Sequence, residues 1–152
     1  MLRKLFATDK SVSGTALRVL LGVVIFPHGA QKLLGWFGGG GFNASMRMFE
    51  SSFHIPTIFA LLAILAESVG AVALIAGFFT RIAALAISVN MVVAVALIHA
   101  KVGFFMNWGG TAKGEGFEYH ILAMAIGIVL MIMGGGRWSV DGVIAKKLKR
   151  SR

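Results

Sequence analysis

The chain has 152 residues, 57% of them hydrophobic and 14% charged, with a mean hydropathy of +0.83. Soluble domains average about 45–50% apolar and about 25% charged residues, so this composition is that of a membrane protein, with no room for a second ordinary domain. The absence of cysteine excludes disulfides, thiolate metal sites, iron–sulfur ligation and sulfur nucleophiles within this chain, and the net charge of +9 gathers at the chain ends, which fits an anionic lipid surface rather than nucleic acid.

Four apolar runs follow in chain order, at about 14–34, 57–77, 80–100 and 118–136, each about twenty residues long and so able to cross about 30 Å of hydrocarbon. They predict an all-α fold: a polytopic membrane protein built as a four-transmembrane-helix bundle, one domain over 1–152. The first run holds Arg18 and lacks a small-residue cleavage site, and is not expected to be a cleaved signal. It ends in "PHGAQKLLGWFGGGGF". There Pro27 removes a backbone hydrogen bond, and His28 and Gln31 share a face. Lys32 lies one turn beyond His28, and Gly35 and the Gly38–Gly41 run let the chain turn back. The second run carries Glu67 close to its midplane, and the third carries Asn90 at nearly the same depth. His99 lies about 180° round the helix from Asn90, which points it toward the outer loop or a neighbouring molecule. The fourth opens with Tyr119 and His120. Beyond it, the basic tail 137–152 with Trp138 reads as a short interfacial helix on anionic lipid.

Lysine and arginine set the orientation. Arg3, Lys4, Lys10, Arg81 and the tail share one side, so both termini are expected in the cytoplasm, with loops 35–56 and 101–117 outside. Each run also aligns its polar residue with small ones: Arg18 with Gly22 and Gly29, Glu67 with Ala60, Ala63, Gly70 and Gly77, Asn90 with Ala83, Ala86 and Ala94, His120 with Ala123, Gly127 and Gly134. Small residues mark close helix approaches, so Arg18, Glu67 and Asn90 are expected to face inward.

An ionisable group inside a membrane is costly and needs a reason. For Glu67 two readings stand side by side: a structural ion pair with Arg18, and a proton-handling or ligand-binding role. Asn90 reads as interhelical glue or part of a site. Lys32 either snorkels outward while Trp36 and Phe37 anchor at the interface, or joins His28 and Gln31 in a pocket at the outer end. Such a pocket suits an amphipathic ligand with a polar ring and an apolar tail, as a quinone has. His28 and His120 lie at depths compatible with haem ligation, but Lys32 and the small bundle leave little room for a macrocycle, so no metal or haem is expected.

The block 27–42, the stretch "LLAILAESVGAVALIAGFFTRIAALAISVNMVVAV" and the stretch "FEYHILAMAIGIVLMIMGGGRWSVD" together resemble the DoxX family of small four-helix bacterial membrane proteins, from about residue 14 to 143. By position, His28, Gln31, Lys32, Gly35, Gly38, Glu67 and His120 match the family's motif. The resemblance implies a bacterial cytoplasmic (inner) membrane protein, a putative oxidoreductase subunit associated with quinone-linked redox systems. His28, Gln31, Lys32, Trp36 and Asn90 would then hold the quinone head, and Glu67 and His120 would relay its proton as the catalytic pair. Redox partner subunits are the partners implied besides the bilayer, and a homo-oligomer is expected from the apolar surface that four helices leave. A non-enzymatic scaffold for a redox or detoxification complex is the alternative, with the buried polar residues structural. A proton-coupled carrier is a further one, without the broken-helix pairs that favour it.

Overall fold

The computed structural model describes residues 2–150. Met1, Ser151 and Arg152 lie outside the described residues, as do the side chains of Leu2 and Arg3, so the contribution of Arg3 and Arg152 to the basic end rests on sequence alone. Among the described residues all regular structure is helical: α1 (Leu2–Leu5), α2 (Val12–Leu34), α3 (Gly41–Phe53), α4 (Thr57–Ala76), α5 (Thr80–Leu97), a 3-10 turn (His99–Lys101), α6 (Glu118–Met133) and α7 (Val140–Arg150).

Local chemistry sets the ends of these elements. Ser11 is extended and its hydroxyl accepts from the Gly14 N–H at 3.0 Å, capping α2. Pro27 does not end α2, which runs on until Gly35 turns left-handed at φ 75°. Helix α4 starts after Pro56 and stops at Gly77, whose φ of 68° lets its N–H return to the Ala73 and Leu74 carbonyls. Only Gly77 and Phe78 then separate α4 from the Phe79 cap of α5.

Helix α2 packs on α4, α4 on α5, α5 on α6, and α6 closes back on α2. The closure buries Leu21 and Ile25 of α2, Leu74 of α4, Ile87 and Met91 of α5 and Leu130 of α6 in one core. Outward positions of the same helices carry exposed Leu20, Val24, Leu62, Val69, Val89 and Ile132, an apolar jacket far larger than a soluble surface tolerates. The bundle therefore has an apolar core and an apolar outer surface.

Three helices, α2, α4 and α5, are long and apolar enough to cross a membrane. The fourth apolar run is shorter than expected: α6 has 16 residues, about 24 Å of helix, because Gly134 breaks it at φ 80° where the sequence suggested continuation to 136. Helix α5 likewise stops at Leu97 rather than at 100.

The loop expected at 35–56 contains a helix. Along α3, Ser45 and Phe49 are buried and Phe53 packs beside them, a spacing of four that turns one face onto Ala60 and Ile64 of α4 and Leu33 of α2. The glycine run hid this helix, since its four glycines are poor helix formers and only the last of them, Gly41, belongs to it.

Candidate functional site

Gly29 fixes the local architecture of the site. A Cβ at that position would overlap the Glu67 carbonyl, so glycine lets the α2 and α4 backbones touch at this level. With the helices this close, Glu67 faces α2 and is buried. Lys32, one turn beyond Gly29 on the same stripe, turns inward and forms an ion pair with Glu67 Oε2. The Asn90 amide of α5 donates to Glu67 Oε1 at 2.7 Å. Both carboxylate oxygens are thus engaged, and three helices are joined at one point. An ammonium beside the carboxylate offsets the cost of taking either charge out of water.

Arg18 and Glu67 do not form the ion pair that the sequence suggested. Glu67 lies opposite Gly29, and Arg18 is eleven residues earlier on α2, about 16 Å along the axis. The Arg18 guanidinium instead binds carbonyls at the far end of the bundle. Its Nε donates to Gly135 at 2.7 Å, Nη1 to Leu74 at 2.9 Å and to Ile75, and Nη2 to Trp138 at 2.8 Å. Arginine suits this role, because its rigid fork serves several acceptors at once and its charge complements the C-terminus of α4.

Beside the Lys32–Glu67–Asn90 network lies a cluster of rings. The His28 ring is 6.2 Å from Tyr119, and the His120 ring lies 4.1 Å from His99, centroid to centroid. The charges of Glu67 and Lys32 both reach His28, and that of Glu67 reaches Tyr119. His99 arrives there because α5 ends before it, so helical extrapolation from Asn90 does not apply. Its Nδ1–H donates to the Glu115 carbonyl at 2.8 Å, so its contact with the outer loop is as expected, while its ring turns onto His120. A carbonyl only accepts, so a neutral His99 leaves Nε2 as an acceptor. Two buried atoms of the cluster, Tyr119 Oη and His120 Nδ1, have no hydrogen-bond partner among the described residues.

A cleft of about 440 Å³ opens at this end, within the usual size range of small-molecule sites. Phe104, Met106 and Trp108 of the loop 102–117 form one wall, and Tyr119, Ile121 and Leu122 of α6 the other. Glu118 braces the loop: one of its oxygens accepts from the Met106 N–H at 3.1 Å and from Trp108 Nε1 at 3.0 Å. The stretch 27–42 does not line this cleft. Gln31 instead donates to the Phe37 carbonyl at 3.1 Å and holds the glycine turn, while Trp36 is exposed at its edge. Among the described residues no group of three or more His, Cys, Asp or Glu is placed to hold a metal ion.

Of the residues singled out from sequence, the structure brings Lys32, Glu67 and Asn90 together, sets His28 and His120 beside them, and leaves Gln31, Trp36 and Arg18 apart. Tyr119 and the cleft wall at 104–108 were not foreseen as site elements. The Lys32–Glu67 pair is not among the sequence expectations, although position 32 continues the stripe Arg18, Gly22, Gly29 and so carries a signal for it.

Comparison with known proteins agrees with this architecture. An uncharacterized membrane protein of Mycobacterium tuberculosis is 28% identical over 153 residues, covering 95% of this chain and 88% of that protein. No solved structure matches. The DoxX family model matches residues 14–100, the segment that contains Arg18, His28, Lys32, Glu67 and Asn90, and with its jacket of apolar helices the chain belongs to the DoxX family of membrane proteins.

Proposed function

We propose that this chain is a multi-pass protein of the bacterial cytoplasmic membrane, with four spans and cytoplasmic termini, that acts as a quinone-interacting subunit of a membrane redox system. The fourth span is α6. Its end returns to the level of the chain start, where the Asp9 N–H donates to the Met133 carbonyl at 3.1 Å, so it traverses the same layer as its longer neighbours.

One observation carries the quinone reading. Tyr119 Oη and His120 Nδ1 are buried without partners beside an apolar, aromatic cleft, at the same end as a buried ion pair. Leaving such atoms unsatisfied costs about 1–3 kcal/mol each, and a ligand carrying ring oxygens at the mouth of an apolar slot removes that cost. The residues therefore fit a quinone head, with its tail toward the lipid past Leu122. A quinone supplies a redox couple that takes up and releases protons along with electrons. Tyr119 donates a hydrogen bond to the head, and His120 holds or releases a proton at Nδ1. Lys32 pairs with Glu67, and Asn90 fixes the carboxylate's orientation. His28, its ring 6.2 Å from that of Tyr119, is the relay in this reading. Electrons come from a partner subunit.

A second reading, a membrane scaffold for a redox assembly, is favoured by one fact: both Glu67 oxygens are already satisfied within the protein. Titrating a quinone into the detergent-purified chain separates the two, with quenching of Trp108 in the cleft wall as the signal. Saturable quenching is expected. Tyr119→Phe, which keeps the ring and removes one donor, is expected to weaken binding about tenfold, the worth of one hydrogen bond. Absence of saturable quenching in the folded parent protein would leave the scaffold reading.

A further inference from the structure

We propose that the opposite end of the bundle holds a binding site for the phosphate of an anionic phospholipid, in the cleft between the segment 8–10 that precedes α2 and the segment 136–149 that includes most of helix α7. This cleft has a volume of about 690 Å³ and lies outside everything the quinone reading uses. Its lining carries the side chains of Lys10, Arg137, Lys146 and Lys149 against a single carboxylate, Asp9. Asp9 is engaged locally: its Oδ1 accepts from the Ser11 N–H at 3.2 Å and from the Ser11 hydroxyl at 3.0 Å. None of the four cations has an ion-pair partner among the described residues. Four cations sharing one cleft with a single carboxylate leave an excess of positive charge, and an anion among them relieves their repulsion.

The floor of the cleft is rigid and its own polar groups are occupied. Ser139 Oγ donates to the Gly136 carbonyl at 3.0 Å and accepts from the Gly142 N–H at 3.1 Å. The Trp138 carbonyl is held by Arg18, and the Trp138 backbone sits in the left-handed region at φ 55°, which an L-residue adopts only when its surroundings enforce it. That conformation leaves the indole exposed, with the Arg137 guanidinium 4.9 Å from its ring centroid. Val140 and Val143 are exposed on the same helix. A free phosphate has no use for an apolar rim, whereas a phospholipid fills both halves of the site, its headgroup among the cations and its acyl chains along Trp138, Val140 and Val143. In a membrane protein this end of the bundle also lies at headgroup depth.

The test uses the full chain purified in mixed micelles of phosphatidylglycerol and phosphatidylcholine in equal amounts, with retained lipids counted by intact-complex mass spectrometry. The parent is expected to retain phosphatidylglycerol over phosphatidylcholine by about tenfold or more, a preference that collapses in 1 M salt. Combining Lys10→Gln, Lys146→Gln and Lys149→Gln is expected to bring the ratio close to one. Combining Lys101→Gln with Lys113→Gln, on the opposite loop, is expected to leave it unchanged. Equal retention of both lipids by the parent overturns the proposal, as does an equal loss in the opposite-loop variant. Complete displacement of the lipid by inorganic phosphate would mean a free-anion site and would overturn the lipid assignment.

Discussion

Glu67 and Lys32 show how one ion pair governs a membrane interior. Glu67→Gln leaves the Lys32 ammonium half-buried with only a neutral partner, and is expected to cost about 3 kcal/mol of stability, read as a lowered unfolding midpoint in detergent. Adding Lys32→Met to that variant is expected to restore much of the loss, because the uncompensated charge is gone. Two additive losses would instead mean that the pair is not coupled. Gly29→Ala probes the same site from the backbone side: its methyl has no room against the Glu67 carbonyl, so the helices must part, at about 1–3 kcal/mol. The sequence made Glu67 and Asn90 legible as inward polar residues, because a polar side chain midway along an apolar helix is costly against lipid and turns toward its neighbours. The partner of Glu67 was not chosen correctly, since two cations on α2, Arg18 and Lys32, satisfy the same stripe. Axial level decides between them, and that level depends on how far Gly29 lets the helices slide together.

At the scale of elements, one cap reaches across the chain to hold the basic end. Asp141 is buried on α7, and its two carboxylate oxygens accept from the Phe79 and Thr80 N–H groups at 2.8 and 2.9 Å, capping α5. A carboxylate at a helix N-terminus satisfies orphan donors and complements the dipole. Asp141→Ala is therefore expected to cost about 2–3 kcal/mol, the range for buried hydrogen bonds to a charged group, and to speed hydrogen exchange at Phe79 and Thr80 while amides near Glu67 keep their protection. The sequence motif that contains Asp141 was recognisable without its role being so, because the capped helix lies about sixty residues away along the chain. The spans were legible to within a few residues from apolar length alone. Helix α3 was not, because a glycine-led amphipathic helix looks like a loop until its packing face is known.

At the scale of the molecule, the bundle has two chemically different ends joined by an apolar shaft: an ion pair with histidines and an aromatic cleft at one, lysines and an arginine hub at the other. The cysteine-free chain makes the proposed orientation directly measurable. Trp108→Cys is expected to react with a membrane-impermeant maleimide in intact cells, and Lys149→Cys only after lysis; the reverse pattern would invert the topology. The Arg18 hub also has a consequence for the order in which the protein is made. Two of its carbonyl partners, on Gly135 and Trp138, lie 117 and 120 residues downstream. At about 5–20 residues synthesised per second, Arg18 is in place roughly 6 to 25 seconds before they emerge. Throughout that interval Arg18 of α2 is held by at most the carbonyls of Leu74 and Ile75. The hub is thus completed only by the segment at 135–138, so a chain that stops before residue 135 leaves the Arg18 guanidinium without its Gly135 and Trp138 acceptors.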